Sequence, residues 1–352
     1  MKVVFGEPDK MFRLIAEALA PSPDGKAFLQ EFYLTECDDP VSMLRAWSVR
    51  RAIPTGIAVA HCHRPEHLKT MLTDADVLVV ENTKVGMDEL ADASSLKLIH
   101  TFGLMADNID REACRARGVP VRKLDRHSNR MVAEHVIMMM LALARGLDRS
   151  REDVLRKIAL QPSGWAYNWP ASQGIKGLIG RTVGLVGLGQ VGGLVARYLQ
   201  PFGVRVLYTK RSRDRSAEDN LGICYVTLDE IVASSDVLSL HVPGNAQTTK
   251  LINTELLSRA KRGMVIVNTA RGSIIDEDAL INALNDGTIG GAALDVFTSE
   301  PLHPDHPLCD LKNVILTPHI AAGNRDEAWL DREIGPIVDS IVSTLMNRGG
   351  QP

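Results

Sequence analysis

Short apolar runs rich in valine, isoleucine and leucine alternate with segments of helical periodicity along most of the chain. This alternation is typical of a parallel sheet covered by helices, so it predicts an α/β fold. In the first part of the chain the predicted strands are Val3–Phe5, Ile57–Ala60, Val77–Val80 and Leu98–Thr101. Because predicted helices separate them, these strands form a first α/β unit.

A second α/β series follows a long apolar helix. The helix is predicted over about Met131–Arg145 and is expected to open at Ser128 or Asn129, either of which is a good N-cap. Across Gln161–Ile179 the composition shifts to glycine, tryptophan, proline, serine and asparagine, which indicates a surface connection. The strands predicted after it are Thr182–Val186, Arg205–Tyr208, Val237–His241, Met264–Asn268, Gly290–Asp295 and Val314–Leu316. Their number suits a complete doubly wound sheet.

One last helix is predicted over about Asp326–Met346, and we expect it to return to the first unit. Since a single hydrophobic core stops growing at about 250 to 300 residues, a chain of 352 residues is expected to form two domains. The predicted fold class is α/β, with two Rossmann-like, doubly wound domains. The first domain is predicted to be discontinuous, residues 1–127 with 322–352, and the second to cover residues 128–321.

The charge balance excludes some classes of partner, because 40 lysines and arginines stand against 43 aspartates and glutamates, for a net charge of −3. No global field would draw such a protein to nucleic acid or to an anionic membrane, so a small molecule is the expected partner. The first apolar run breaks after three residues, and no run reaches the roughly 18 apolar residues of a membrane span. We therefore expect a cytoplasmic protein.

Neither the cysteines nor the histidines form a strong metal-binding pattern. The five cysteines are Cys37, Cys62, Cys114, Cys224 and Cys309. They include no CxxC pair, which argues against disulfides and a zinc ribbon. The segment HCHRPEH groups His61, Cys62, His63 and His67, and His61 and His63 could share one face of a strand end. Because no second cluster matches this one, no metal site is expected.

The segment RTVGLVGLGQVGGLVARYL places a glycine motif between a predicted strand and a predicted helix. Its glycines are Gly187, Gly189 and Gly192, and Gln190 and Val191 would open the helix. The first glycine permits a tight turn, the second lets backbone approach a pyrophosphate, and the third lets the helix pack on the strand. The motif therefore predicts dinucleotide binding, and an ordinary glycine-rich turn is the alternative.

The end of the next predicted strand bears on the choice of cofactor. A site specific for NAD normally has Asp or Glu there, but this chain has Thr209, followed by Lys210, Arg211 and Arg213. These cations could form charge-assisted hydrogen bonds to a 2′-phosphate. We therefore expect NADP(H), with NAD(H) as the alternative. A solvated basic loop remains a second interpretation of the same residues.

Three polar residues follow predicted strands farther along: Arg271 in NTARG, Glu300 in LDVFTSEP and His319 in TPHIAAG. Reduction of a 2-oxo acid needs a cation for the carboxylate, a proton donor for the carbonyl oxygen and a partner that keeps the donor protonated. Arginine offers carboxylate a planar fork, histidine titrates near neutral pH, and a nearby carboxylate favours the imidazolium. The three residues could fill these roles.

At this point the sequence resembles the D-isomer-specific 2-hydroxyacid dehydrogenase family, over roughly residues 76–322. The resemblance rests on the segments LKLIHTFGLMADNID, VAEHVIMMMLALAR, GLVGLGQVG, HVPGNAQT, VNTARGSIIDEDAL, GAALDVFTSEP and TPHIA, in that order. It implies that Arg271 binds and polarises the substrate, that His319 is the general acid/base, and that Glu300 orients and tunes His319. The stretch YTKRSR is most similar to that of the glyoxylate and hydroxypyruvate reductases that use NADP.

The resemblance also implies an arrangement of the whole molecule. The first domain would bind the substrate, the second the dinucleotide, and the active site would lie in the cleft between them. A homodimer built on the dinucleotide domains is implied as well. Further positions match the cofactor side of the family: His241, Val242, Pro243, Thr248, Thr269, Ala270 and Asp295. Of these, His241 is expected to be mainly structural, and Thr248 and Asp295 could instead brace a loop.

The expected substrate loop departs from the family pattern GxGxDNID. It contains Gly103, Leu104 and Met105, so Met105 replaces the second glycine, and its Cβ is expected to restrict positive φ and add bulk. The usual proline and glycine before the VAEH helix are replaced by Asp125 and Arg126, and Arg126 could contact a charged substrate tail or be solvated in a loop.

Two alternative functions are compatible with these residues. One is a dinucleotide-sensing protein like the co-repressors of the same family. The other is a dehydrogenase of another small anion, such as phosphite or formate. Formate fits less well, because Glu300 with His319 favours a step that moves a proton.

Overall fold

The computed structural model describes residues 1–33, 37–147, 177–323 and 325–346. The described residues before Ser128 and after Gly323 form a first compact unit, and those over Ser128–Gly323 form a second. Most of the predicted surface connection, residues 161–176, lies outside the described residues. Among the described residues, no helix combines the length and apolar character needed to cross a bilayer.

The first unit contains a five-stranded sheet in which every pair of neighbours is parallel. Its strands are β1 (Lys2–Phe5), β2 (Ala58–His61), β3 (Val77–Val80), β4 (Leu98–Thr101) and β5 (Val121–Lys123). They lie in the order β2-β1-β3-β4-β5, a doubly wound arrangement. All four residues of β3 and of β4 are buried, as expected for central strands covered on both faces.

Helices cover this sheet, and most of their apolar faces belong to one core. Before Ser128 the α-helices are Lys10–Leu19, Gly25–Tyr33, Pro40–Arg50, Leu68–Met71 and Arg111–Ala116, with a 3₁₀ turn at Pro65–His67. The first of them begins after Asp9, whose carboxylate accepts hydrogen bonds from the amides of Met11 and Phe12. This is an N-cap of the usual kind.

The described residues of the second unit form a sheet of seven strands, again all parallel. They are β6 (Thr182–Val186), β7 (Arg205–Thr209), β8 (Cys224–Tyr225), β9 (Val237–Leu240), β10 (Met264–Asn268), β11 (Ile289–Leu294) and β12 (Val314–Leu316). Their order is β12-β11-β10-β9-β6-β7-β8. The chain thus builds outward from β6 in both directions, which puts the topological switch point between β6 and β9.

The helices of the second unit pack on both sides of its sheet. Its described α-helices are Ser128–Arg145, Gln190–Leu199, Arg215–Leu221, Leu228–Ser234, Thr254–Ser258 and Glu277–Asn285, and its 3₁₀ turns are Gln200–Phe202, Gly272–Ile274 and Pro307–Asp310. The first of these helices begins at Ser128, one of the two residues predicted to open it, so Asn129 lies inside the helix and is not its N-cap. The Asn129 side chain instead donates to Gln190 Oε1 at 2.6 Å.

Two helices, not one, complete the first unit. They are Glu327–Glu333, capped by Asp326, and Gly335–Met346, and the chain leaves the helical path at Ile334. The prediction of a single helix was wrong, because Pro336 has no amide hydrogen and its ring clashes with a carbonyl one turn earlier. Side chains of the second helix, among them Ile337 and Ile341, enter the core of the first unit.

The fold-class prediction is confirmed, since both units are parallel α/β sheets covered by helices. β3, β4, β6, β10 and β12 have the predicted limits. β1, β7 and β9 differ from the prediction by one residue at one end, and β2 and β11 are shifted by one residue at both ends. The pattern of apolar and polar residues did not predict β5 and β8, which are short edge strands with few apolar residues.

Candidate active site

The predicted cofactor and catalytic residues of the second unit follow the carboxyl ends of six adjacent strands. Parallel strands end at the same edge of a sheet, and this is the edge where α/β sheets bind ligands. Taken along the strand order from β12 to β7, the residues that follow the strands are His319, Asp295, Arg271, His241, Gly187 and Lys210. The topology therefore explains why residues far apart in sequence gather at one edge.

The glycine turn lies at the switch point. Gly187 has a φ of +102°, and a Cβ there would fall 2.6 Å from the carbonyl oxygen of His241. A Cβ on Gly192 would overlap the carbonyl oxygen of Gly187. Gly189 differs, because it caps the helix Gln190–Leu199 and faces open space. Packing therefore requires two of the glycines, while the third leaves room above a helix N-terminus.

His241 contributes an enclosed polar atom beside this turn. Its amide donates to Val186 O at 2.7 Å, while its ring atom Nε2 is shielded from solvent and has no hydrogen-bond partner among the described residues. Burial lowers the pKa of His241 to about 4, so the ring is neutral at pH 7. A buried nitrogen without a partner, next to an open helix N-terminus, fits a site built for a polar ligand. These features are compatible with a nicotinamide dinucleotide, and the placement of its pyrophosphate at Gly189 stays a prediction.

The basic stretch after β7 divides into paired and less constrained residues. Arg213 forms a bidentate pair with Glu218, with Nε–Oε1 and Nη2–Oε2 distances of 2.8 and 2.7 Å. The Arg213 guanidinium is the main reason why the pKa of Glu218 falls to about 2. Lys210 lies 3.5 Å from Asp214, and Arg211 has no ion pair within the described part of the chain. Thr209 ends β7, as predicted to within one residue.

The loop after β9 is braced by its own side chains. Thr248 Oγ1 donates to Pro243 O at 2.5 Å and accepts from the amide of Asn245 at 2.9 Å. Val242, which precedes Pro243, is half-buried against the core. The structure therefore shows the bracing role that the sequence allowed for Thr248, and a cofactor contact by this loop stays a prediction.

Arg271 is held through the polar residue that ends β10. The Asn268 side chain is buried, donates to Arg271 O at 2.9 Å and accepts from the Ala270 amide at 3.0 Å. These bonds fix the turn Thr269–Arg271, while the Arg271 guanidinium is exposed and donates to Ala270 O at 2.6 Å. Sequence reasoning missed Asn268. Its signal was a single polar side chain closing the apolar run MVIV.

Glu300 and His319 form a direct pair. His319 Nδ1 lies 2.7 Å from Glu300 Oε2, and Glu300 Oε1 accepts from the Phe297 amide at 3.0 Å. The carboxylate is thus anchored on one oxygen and bonded to the imidazole through the other. His319 is 48% exposed and Glu300 36%, so the pair is accessible to a substrate. The carboxylate therefore orients the imidazole ring, and an exposed histidine in this position can transfer a proton to or from a bound group.

Asp295 is fully buried, and its contacts are with the loop that carries His319. Its Oδ1 accepts from Thr317 Oγ1 at 2.6 Å and from the Ile320 amide at 2.9 Å, and its Oδ2 accepts from the Ala321 amide at 2.9 Å. The bracing role is therefore visible for Asp295, and a cofactor contact stays a prediction.

In the first unit, the expected substrate loop follows β4. Thr101 Oγ1 donates to Gly103 O at 2.6 Å, and the side chains of Leu104 and Met105 are 40% and 55% exposed. Met105 does not have a positive φ, so the expected backbone restriction at this position does not arise. The added side chain changes the surface of the loop rather than its backbone.

Arg126 has a role that the sequence did not indicate. Its Nε lies 3.0 Å from an oxygen of the buried Glu333, its Nη1 lies 3.5 Å from Glu81, and its guanidinium stacks 4.5 Å from the centre of the Phe102 ring. Arg126 therefore ties together parts of the first unit, in place of the solvated loop expected as one interpretation.

The HCHRPEH segment begins at His61, which is the last residue of β2. The His61 ring stacks on Phe5 at 5.1 Å, and its centre is 6.5 Å from that of His63. Within the described residues, no group of three or more histidine, cysteine, aspartate or glutamate side chains is arranged to hold a metal ion.

Comparison with known proteins identifies the family. A model of the D-isomer specific 2-hydroxyacid dehydrogenase NAD binding domain matches residues 137–321, more than half of the chain. The chain is 32% identical over 311 residues to a glyoxylate reductase of Aeropyrum pernix, and the match covers 86% of this chain and 85% of that protein. It is 34% identical to a D-3-phosphoglycerate dehydrogenase of Archaeoglobus fulgidus, covering 82% of this chain but 52% of the relative.

A solved structure agrees with these relatives. The D-lactate dehydrogenase of Aquifex aeolicus, complexed with NAD and lactic acid, is 28% identical with a TM-score of 0.56, and the match covers 98% of this chain and 95% of that chain. With a glycine turn and a histidine–glutamate pair at one sheet edge, this chain belongs to the D-isomer-specific 2-hydroxyacid dehydrogenase family, as an NAD(P)-dependent enzyme that transfers a hydride to or from a 2-hydroxy or 2-oxo acid.

Proposed function

We propose that the protein reduces small 2-oxo acids such as glyoxylate or hydroxypyruvate and prefers NADPH as the hydride donor. The observation that carries the proposal is the 2.7 Å pair of His319 and Glu300 at the sheet edge that also holds the glycine turn. The similarity to a glyoxylate reductase over most of both chains supports the substrate class.

In this proposal each residue has one task. Arg271, exposed on a turn fixed by Asn268, binds the substrate carboxylate with its guanidinium. His319 donates a proton to the carbonyl oxygen, and Glu300 stabilises the imidazolium before that transfer. The bound dinucleotide supplies the hydride that reaches carbon 2. One hydride and one proton convert the 2-oxo acid into the 2-hydroxy acid, and the residues regain their starting state when His319 takes up a proton from solvent.

The preference for NADPH rests on the residues that follow β7. No carboxylate ends this strand, and Arg211 has no ion pair within the described part of the chain. Arg213 is bound to Glu218, so Lys210 and Arg211 are the better candidates for a 2′-phosphate. Charge-assisted hydrogen bonds to such a group stabilise a complex by about 1.5 to 3 kcal/mol each.

Other parts of the proposal rest on the resemblance and the composition. The first unit would bind the substrate with Gly103, Leu104 and Met105. The protein would be a cytoplasmic homodimer built on the second unit, and sedimentation equilibrium would test the dimer.

A spectrophotometric panel tests the function. Glyoxylate, hydroxypyruvate and longer 2-oxo acids are compared with NADPH and with NADH, beside a His319→Asn variant. We expect the highest kcat/KM for a two- or three-carbon acid with NADPH, and loss of turnover in the variant with unchanged dinucleotide affinity. Tight dinucleotide binding without turnover of any acid would instead support a dinucleotide sensor.

A further inference from the structure

We propose that His135 and Thr317 are positioning residues that hold His319 in its working orientation. The inference rests on the proposed function, in which His319 is the proton donor. It concerns a chain of hydrogen bonds that leads from the long helix Ser128–Arg145 to the loop after β12.

Thr317 is the centre of this chain. Its hydroxyl donates to Asp295 Oδ1 at 2.6 Å, and its own carbonyl accepts from the His319 amide at 3.0 Å. On the other side of His319, the amides of Ile320 and Ala321 donate to the same Asp295 carboxylate. His319 is therefore flanked on both sides by groups bound to one buried side chain.

The backbone of His319 needs such support. Its φ is +55°, in the left-handed region that residues with a Cβ rarely adopt. A non-glycine residue persists in this region only where its surroundings over-determine the conformation. The bonds to Asp295 supply that constraint. The Thr317 side chain also connects this network to the helix Ser128–Arg145.

His135 provides the connection from the helix. It lies on the helix Ser128–Arg145, and its Nε2 is 3.2 Å from Thr317 Oγ1 and 3.7 Å from Asp295 Oδ1. Burial lowers the pKa of His135, which favours the neutral ring. A neutral ring with its hydrogen on Nε2 donates to Thr317, whose own hydrogen points to Asp295, so every group has a consistent direction. Because Nε2 is used in this way, we assign His135 a positioning role and not a catalytic one.

Paired variants test the chain of bonds. Thr317→Val keeps the shape but removes the hydroxyl, and we expect kcat to fall about 10- to 100-fold with KM for NADPH within about twofold. Thr317→Ser restores the hydroxyl and should recover most of the loss. His135→Leu should lower kcat more than His135→Gln, whose amide can still donate. Thr344→Val, which removes a hydroxyl from a helix of the first unit, is the matched control.

Two further readouts separate positioning from a general structural defect. If the orientation of His319 against Glu300 is lost, the pH at which kcat/KM declines should move in Thr317→Val but not in Thr344→Val. The ¹⁵N signals of the His319 ring are assigned by their absence in His319→Asn. Their chemical shifts should change in Thr317→Val but not in Thr344→Val, and this measurement needs no substrate. The ring signals therefore test the inference even if the wild-type protein turns over no 2-oxo acid and the proposed function fails.

A Thr317→Val protein with wild-type kcat, pH profile and ring signals would overturn the inference. It would also be overturned if activity fell only in proportion to the folded fraction measured by circular dichroism.

Discussion

Gly272 packs directly against the backbone carbonyl of Phe297, so closely that a Cβ at position 272 would overlap the carbonyl carbon and oxygen. This contact joins the turn that carries Arg271 to the loop that carries Glu300, because the Phe297 amide also holds the Glu300 carboxylate. Two of the three proposed catalytic residues are therefore fixed relative to each other through one glycine.

The first prediction follows from this contact. Gly272→Ala should destabilise the protein by about 3 kcal/mol or more, because the obstacle is backbone and cannot rotate away. The free energy of unfolding in urea measures this. An alanine variant with wild-type stability and wild-type kcat would show that the two loops can separate at little cost.

Gly189 and Gly193 provide a second, contrasting pair. At both positions an added Cβ would have no neighbouring atom within 4 Å, but Gly189 caps the helix Gln190–Leu199 and Gly193 lies inside it. Gly193→Ala should raise the stability by up to about 1 kcal/mol through helix propensity and leave dinucleotide affinity unchanged. Gly189→Ala should lower the stability by up to about 1 kcal/mol, because alanine is a poorer N-cap than glycine. It should weaken NADPH binding about tenfold or more, since in the proposed function the pyrophosphate occupies the space that the Cβ would enter. Fluorescence titration of NADPH checks both, and equal affinities would place the pyrophosphate elsewhere.

The central strands were predictable because they are short apolar runs with clear ends, such as VLVV in β3 and MVIVN in β10. The edge strands were not. β5 has the sequence VRK and β8 only CY, and each exists because a neighbouring strand offers it hydrogen bonds. This pairing is a tertiary effect that the local pattern does not contain.

The same distinction applies to the candidate site. Gly187, Arg271, Glu300 and His319 could be proposed from the sequence because each stands in a local motif that follows a predicted strand. The parts played by Asn268, Thr317 and His135 could not, because they depend on which strand ends and which helix become neighbours. Arg126 is a similar case, since its partner Glu333 is distant in sequence.

A third prediction concerns the charge beside His319. Glu300→Gln keeps an acceptor for the Phe297 amide but removes the negative charge that lies 2.7 Å from His319 Nδ1. We expect kcat/KM for the 2-oxo acid to fall about 10- to 100-fold near neutral pH.

The control for this variant is Glu277→Gln. Glu277 accepts from the Thr298 amide at 2.7 Å and so braces the same loop without touching His319. If both variants lowered kcat/KM equally, the effect would come from the loop and not from the charge.

The fourth prediction is a pH dependence of stability that originates at His241. Its pKa is lowered from 6.5 to about 4 in the folded protein, so below about pH 6.5 the unfolded chain binds a proton that the folded chain does not. Stability should therefore be lost as the pH falls from about 6.5 to 4, by at most about 3 kcal/mol, because part of the residue's surface still meets solvent.

Urea unfolding without dinucleotide, at several pH values, measures this slope. His241→Gln should remove it, whereas His303→Gln, at a position 74% exposed, should not. Parallel slopes in wild type and His241→Gln would mean that the ring takes up a proton in the folded state without penalty.

The last prediction concerns the choice between the two dinucleotides. Arg211 has no ion pair within the described residues, whereas Arg213 is already bound to Glu218 at 2.7 Å. Arg211→Ser should therefore lower kcat/KM for NADPH by about 10- to 100-fold, the value of one charge-assisted hydrogen bond, and change the value for NADH by less than about threefold. Arg262→Ser, just before the amino end of β10 and so at the opposite edge of the sheet, is the matched control because it removes the same charge away from the site. The assignment of Arg211 to the 2′-phosphate would be contradicted if the wild-type protein preferred NADH and Arg211→Ser lowered kcat/KM equally for both dinucleotides. A group that recognises a 2′-phosphate must discriminate between the dinucleotide that has this phosphate and the one that lacks it.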